Sequence, residues 1–205
     1  MLRYFGSRQI KHRATLGGNI GTASPIGDTP PVLLALDAVV VARDPGGERH
    51  IPIDDYFIGY RQTALGTDEI VARIEIPVPD PGLRRGAYKV SRRREMDISA
   101  VSGCFAVTVD AAGHIVSARM AFGGMAATPS RARHLEAALI GCPLTEAGVE
   151  AAIDELARDF QPIDDHRGSA WYRETVAANL VRGFTDVPSR RRQIARWAFG
   201  WTCRV

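Results

Sequence analysis

The spacing of apolar residues changes character along this chain. The first 120 or so residues carry short β-branched runs; beyond them the apolar positions follow the period of a helix. Residues 32–36, which follow Pro30 and Pro31, read as a short helix, because proline fits a first helical turn. Residues 38–43, AVVVAR, read as a buried strand. Gly46-Gly47 marks a turn, the HIPI run a second strand, and residues 69–77, EIVARIEIP, a third. Residues 78–86, VPDPGLRRG, carry two prolines and two glycines, which places a domain boundary there. Strand-like AYKVSRR opens the second half. SAVSGCFAVTVD and IVSARMAFGG follow as two β-rich runs joined by Ala-Ala-Gly-His, a hairpin signal.

Three helices complete the pattern. Thr128 can cap the first, with Pro129 at its opening position and Gly141 closing it. Thr145 can cap the second, with Val149, Ile153, Leu156 and Phe160 on one face. The third spans residues 169–184, with Tyr172, Val176, Leu180 and Phe184 on one stripe. These stripes read as core. The order of elements predicts an α+β protein. Between the polar N-terminus and the first helix lies ATLGGNIGTASPIGDTPP, residues 14–31, poor in side-chain bulk and therefore expected as a structured loop.

Composition narrows the class. The chain has 205 residues, 45% hydrophobic and 24% charged, enough for one domain or two small ones. A net charge of +3 is too small for disorder at that apolar content. No apolar run approaches the ~20 residues that span a bilayer, and the N-terminus lacks a signal-peptide core. Cys104, Cys142 and Cys203 are scattered and form no CxxC pair, which fits a reducing, cytoplasmic setting. The basic runs Arg92-Arg93-Arg94 and Arg190-Arg191-Arg192 are not interleaved with aromatics, so nucleic acid is not the expected partner.

Candidate chemistry concentrates in Thr15-Leu16-Gly17-Gly18-Asn19-Ile20-Gly21-Thr22. Glycines lacking Cβ atoms let backbone N–H groups converge on an anion, and the hydroxyls add donors; a pyrophosphate suits such a cradle. The segment is not a Rossmann fingerprint, because RQIKHRA before it is too polar for a buried strand. The five histidines show no metal-ligand spacing, and no serine has a nucleophile context. Asp164 and Asp165 precede the last helix and read as its caps. Lys89 by itself reads as a surface lysine.

Several segments, in order, resemble one family. RATLGGNIGTASPIGD at 13–28 is similar to the second flavin-contacting motif of the FAD subunits of molybdenum hydroxylases, the group of xanthine dehydrogenase, aldehyde oxidase and carbon monoxide dehydrogenase. The resemblance continues through EIVARIEIPVP, YKVSRRREMDISAVSG, AFGGMAATPSRA and PIDDHRGSAWYRETVAANLVRGF. It implies a second FAD-binding subdomain (a mixed sheet with helices) over residues 1–82, then the flavoprotein C-terminal domain (a small antiparallel sheet packed on a helix bundle) over 83–187. A tail at 188–205 is left unassigned. It also implies FAD contacts from Thr15, Gly17, Gly18 and Asn19 at the pyrophosphate and ribityl, with Ala14, Thr22, Ser24 and Asp28 completing that wall. Val71 would lie by the isoalloxazine and Lys89 near the flavin. No catalytic or metal-ligating residue is implied. The resemblance further implies an oxidoreductase, of the type of a bacterial xanthine dehydrogenase small subunit. Its FAD would relay electrons from 2Fe-2S clusters, reduced in turn by a molybdenum cofactor on partner domains or subunits, to NAD⁺ or another acceptor. The competing reading is a non-catalytic module that docks on partner subunits without flavin.

The family's earlier Gly-rich pyrophosphate loop has no counterpart in this sequence, which opens just short of the second motif. The chain alone is therefore expected to be inactive, to bind FAD weakly, and to be open to self-association. Each missing charge-assisted hydrogen bond costs on the order of 1.5–3 kcal/mol. Two or three such losses weaken binding by at least about two orders of magnitude. Calorimetry with added FAD checks this; stoichiometric sub-micromolar binding by the isolated chain would contradict it.

Overall fold

A computed structural model describes residues 5–93 and 96–185. The first segment contains three short helices, α1 (Arg8–Lys11), α2 (Leu16–Gly21) and α3 (Pro30–Ala35). Strands β1 (Val39–Asp44) and β2 (Gly47–Pro52), helix α4 (Ile53–Tyr56), and strands β3 (Phe57–Gly59), β4 (Gln62–Thr63) and β5 (Ile70–Glu75) follow. The second segment opens with β6 (Arg84–Val90), β7 (Val101–Val109), β8 (Ile115–Gly123) and β9 (Ser130–Arg131). It ends with α5 (Arg133–Leu139), α6 (Glu146–Glu150), a 3-10 turn (Ile153–Glu155), α7 (Leu156–Asp159) and α8 (Ala170–Phe184). The fold is α+β. The sheets run β2-β1-β5, β3-β4 and β6-β7-β8-β9. Every described pairing is antiparallel, so the first sheet is antiparallel where a mixed one was expected.

The two sides of β7 explain how the segments join. Val101, Phe105 and Val107 point into one core, with Phe122 of β8 and Ala177, Val181 and Phe184 of α8. Phe105 lies 5.2 Å from Phe122 and 5.6 Å from Phe184, ring centre to ring centre. Cys104 and Ala106 face the other way, with Ala121 of β8, into a core shared with Leu33, Leu34, Val40 and Tyr56 of the first segment. Small side chains on that face let α3 lie directly on β7 and β8. Burial on both faces pushes the Cys104 thiol up to about 12, so it is an inert packing group.

Four local expectations are corrected. Residues 14–31 are not a loop throughout. Thr15 Oγ1 accepts from the Gly18 N–H at 2.9 Å and caps the six-residue helix α2, so a cap outweighs the low helix propensity of glycine. Thr128 caps nothing. Ser130 and Arg131 pair with β8 instead, and the Asp159 carboxylate caps α5 by accepting from the His134 and Leu135 N–H groups at 2.9 and 3.0 Å. Thr145 does cap α6, but Val149, Ile153, Leu156 and Phe160 span two helices and a 3-10 turn. All four are buried nonetheless, and the break carries Asp159 to α5. On α8 the buried column is Arg173, Ala177, Val181 and Phe184; Phe184 is as expected, the other three lie one position round from the expected stripe, and Tyr172 is 38% exposed. The tail beyond residue 185, Cys203 included, lies outside the described residues.

Arg173 joins an apolar column because its acceptors are buried with it. The guanidinium donates to Asp165 at 2.6 Å, to the Gly124 carbonyl at 2.8 Å, and to the Ala100 carbonyl. Burial alone would raise the Asp165 carboxyl, but hydrogen bonds from the Arg167 N–H and Arg173 outweigh it and hold the group at about 2. Its contribution to stability is therefore complete above the ordinary carboxylate range near pH ~4 and is lost as pH falls toward the folded value. Acid titration of urea stability should show a fall between pH ~4 and ~2 that is smaller in Asp165→Asn. At neutral pH that variant should lose roughly 1.5–3 kcal/mol, the worth of one charged hydrogen bond.

Candidate flavin-binding site

Residues far apart in sequence meet at the edge of the shared core. Gly17 lies against Val71 of β5, close enough that a Cβ on it would sit 3.6 Å from the valine Cγ1. A register shift against β1 leaves Ala72 as an extra residue beside Val71. At the last residues of the helical segment's first turn, Asn19 Oδ1 accepts from the Thr29 hydroxyl, which ties α2 to the start of α3. The neighbouring Asp28 splits its carboxylate. One oxygen takes the Lys89 ammonium at 2.6 Å and the other takes the Ser99 hydroxyl. Both side chains of the ion pair are largely buried, Lys89 at 15% and Asp28 at 9% exposure.

Lys89 reaches Asp28 because β6 alternates. Tyr88 turns toward the helices, its ring 5.5 Å from Phe105, and Gly86 leaves room for that ring. Burial drives the Tyr88 hydroxyl far above its ordinary value, so it stays neutral. Lys89 takes the opposite face, directly across from Ser102, which in turn pairs with Gly123. Here the alternation overrides the surface-lysine reading. Residues 24–28 lie over this row: the Pro25 carbonyl accepts from the Gly124 N–H at 2.7 Å.

The structure thus connects Gly17 with Val71, Asn19 with Thr29, and Asp28 with Lys89. The remaining expected residues differ. Gly18 has its N–H taken by Thr15, so it is not a free donor; a Cβ there would fall 2.9 Å from Thr15 Oγ1. The Thr22 hydroxyl donates back to the Asn19 carbonyl at 2.8 Å, at the far end of α2. Ala14 is exposed, its N–H bonded to Ile10, and Ser24 accepts from Gly27 through its backbone. Thr29 and Ser99 escaped the sequence reading. Their only signal was position, beside Asp28 and within the MDIS run.

The donor set fits a phosphate-bearing cofactor on one side. Thr15 accepts from Gly18 and keeps its own hydroxyl proton to give away. The N–H groups of Leu16 and Gly17, in the first turn of α2, have no intrahelical acceptor. Two family models match in succession: the FAD binding domain in molybdopterin dehydrogenase over residues 1–79 and the CO dehydrogenase flavoprotein C-terminal domain over 86–186. The chain belongs to the FAD-binding flavoproteins of the molybdenum hydroxylase family.

Similar proteins agree with that placement. The chain is 38% identical to a xanthine dehydrogenase of Emericella nidulans across 92% of its own length and 14% of that protein. It is 33% identical to a glyceraldehyde dehydrogenase medium chain of Sulfolobus acidocaldarius, over 90% of itself and 65% of the relative. A solved carbon monoxide dehydrogenase from Hydrogenophaga pseudoflava superposes with a TM-score of 0.83 at 29% identity, covering 88% of this chain and 62% of that one. The chain thus spans less than two thirds of these relatives. The family is one of oxidoreductases, and no described helix is long and apolar enough to cross a membrane. Gly18→Val should strip the Thr15 cap, because the added side chain collides with the capping hydroxyl. We expect a stability loss of ~1 kcal/mol or more in urea and loss of FAD uptake; unchanged flavin affinity would remove Gly18 from the site.

Proposed function

We propose that this chain holds one side of an FAD and acts as the electron relay of a molybdenum hydroxylase. What supports the reading is the convergence of the Thr15–Asn19 turn, Val71 and the Asp28–Lys89 pair at one edge of the shared core. Bound FAD would supply the step from single electrons, delivered by 2Fe-2S clusters, to hydride transfer to NAD⁺ or another acceptor. Thr15, through its hydroxyl, and the Leu16 and Gly17 N–H groups would donate to the pyrophosphate. Asn19, its side-chain oxygen Oδ1 occupied by Thr29, would turn its side-chain N–H groups to the same region. Ala14, Thr22, Ser24 and Asp28 would border the cofactor, and Val71 would exclude water from the ring.

Lys89 carries the electrostatic part of the proposal. Asp28 offsets much of its charge, so the ammonium works as an oriented donor rather than an isolated cation. Among the described residues Asp28 takes one of its three N–H bonds, and the others would serve a partially negative flavin edge. The proposal assigns residues 1–82 to the FAD-binding domain and 83–187 to the C-terminal domain, in a cytoplasmic complex with molybdenum-cofactor and iron–sulfur partners. The alternative of a docking module without flavin has no feature of its own here. The test is to purify the chain with its molybdenum and iron–sulfur partners and quantify flavin. About one FAD per chain, bleached by NADH if NAD⁺ is the acceptor, is the expected result. A complex replete in molybdenum and iron but lacking flavin would sink the relay in favour of the docking module.

A further inference from the structure

We propose that Arg173, on α8 and remote in sequence from every flavin motif, is the residue that positions the Asp28–Lys89 pair. The inference rests on the flavin reading for its purpose, though not for its geometry. Arg173 is 2% exposed. Two of its hydrogen bonds go to backbone that holds this segment. The Gly124 carbonyl accepts at 2.8 Å, and the N–H of the same residue holds the Pro25 carbonyl at 2.7 Å. The Ala100 carbonyl also accepts, and the preceding residue, Ser99, donates its hydroxyl to Asp28. One guanidinium therefore fixes both supports of the segment, at Pro25 and at Asp28, and Asp28 in turn sets the Lys89 ammonium.

The local geometry shows that these supports are specified. Gly124 takes a φ of +82°, open to glycine, and a Cβ there would fall 2.3 Å from the Ala100 carbonyl and 3.1 Å from Arg173 Nη1. The two carbonyls are thus drawn together as no other residue at 124 would allow. Asp165 fixes the third side of the guanidinium at 2.6 Å and is itself braced by Arg167 at 3.1 Å. A planar fork is needed to meet three acceptors in three directions; a lysine at 173 would keep the charge but not the span. Neither Arg173 nor Asp165 touches the proposed cofactor side, so both are positioning residues.

The experiment compares amide hydrogen exchange in the full-length chain carrying Arg173→Lys, Asp165→Asn or Leu139→Ala. Leu139 is buried in α5 and serves as a core control. The reporters are the Gly27 and Gly124 N–H groups, bonded to Ser24 and Pro25. Arg173→Lys should speed their exchange by about tenfold or more, the size expected for losing one charged hydrogen bond. The amides of β1 and β2 should accelerate by no more than the variant's loss of global stability requires, and Leu139→Ala should leave Gly27 and Gly124 in step with the rest of the chain. Should Arg173→Lys not fold, Asp165→Asn, which leaves Arg173 in place without its anchor, gives the same reading. Acceleration of Gly27 and Gly124 no greater than that of β1 and β2, or an equal local excess from Leu139→Ala, would overturn the proposal. In the purified complex, the same variant should weaken FAD retention by about tenfold while the control does not. A parent complex without FAD would defeat the flavin reading, and the exchange comparison would still decide the positioning.

Discussion

Strand β7 must be buried on both faces, and most of the structure follows from how its residues meet that constraint. Large groups, Val101, Phe105 and Val107, lie on the side of the helices, while Ser102, Cys104 and Ala106 lie on the side of α3. The small side lets a helix from the first segment rest on the sheet of the second, so the two segments share one of their two cores. Apolar burial of this kind is the main favourable term in folding. Here it also shapes the candidate site, because the residues that lie over the small face include the 24–28 segment with its aspartate.

Polar groups follow where the packing leads. Lys89 and Asp28 are both mostly buried, and each would be costly without the other. Ser99 donates to the second Asp28 oxygen, and the neighbouring Thr29 donates to Asn19. Arg173 is the same problem at greater depth, solved with two carbonyls and a carboxylate. A second ionic cluster stitches the segments on the opposite side: Arg131 reaches both Glu136 at 2.7 Å and Asp37 at 3.2 Å, and Arg133 reaches Asp54 at 2.6 Å. The orientation of the two segments is thus set by one shared apolar surface with charged clasps at its margins.

Much of the local structure was legible in the residues. The proline pair announced α3, the VVVAR run β1, and Thr145 its helix, because caps and alternation act over three or four positions. The flavin motifs were legible as a resemblance, which the two successive family matches bear out. The failures share a cause. The start of α5 was misplaced because its cap comes from Asp159, 24 residues ahead of Leu135 in the chain. The buried column of α8 was misread because a hydropathy pattern treats arginine as surface, whereas Arg173 finds its acceptors only in the folded state.

What the sequence alone determined was the α+β class, the order of elements and the identity of the glycine-rich and lysine-bearing motifs. Each of these depends on neighbours within a turn or a strand. Tertiary structure decided that Lys89 is a buried partner of Asp28, 61 positions away, and that Val71 stands against Gly17. The Gly18 N–H, expected as a phosphate donor, instead donates to the Thr15 hydroxyl oxygen as a helix cap, a contact that is itself local in sequence. The physical reason is that a charge or an N–H acquires its role from whichever partner lies within hydrogen-bonding distance. In this chain those distances are set by the packing of α3 and α8 on opposite faces of one sheet.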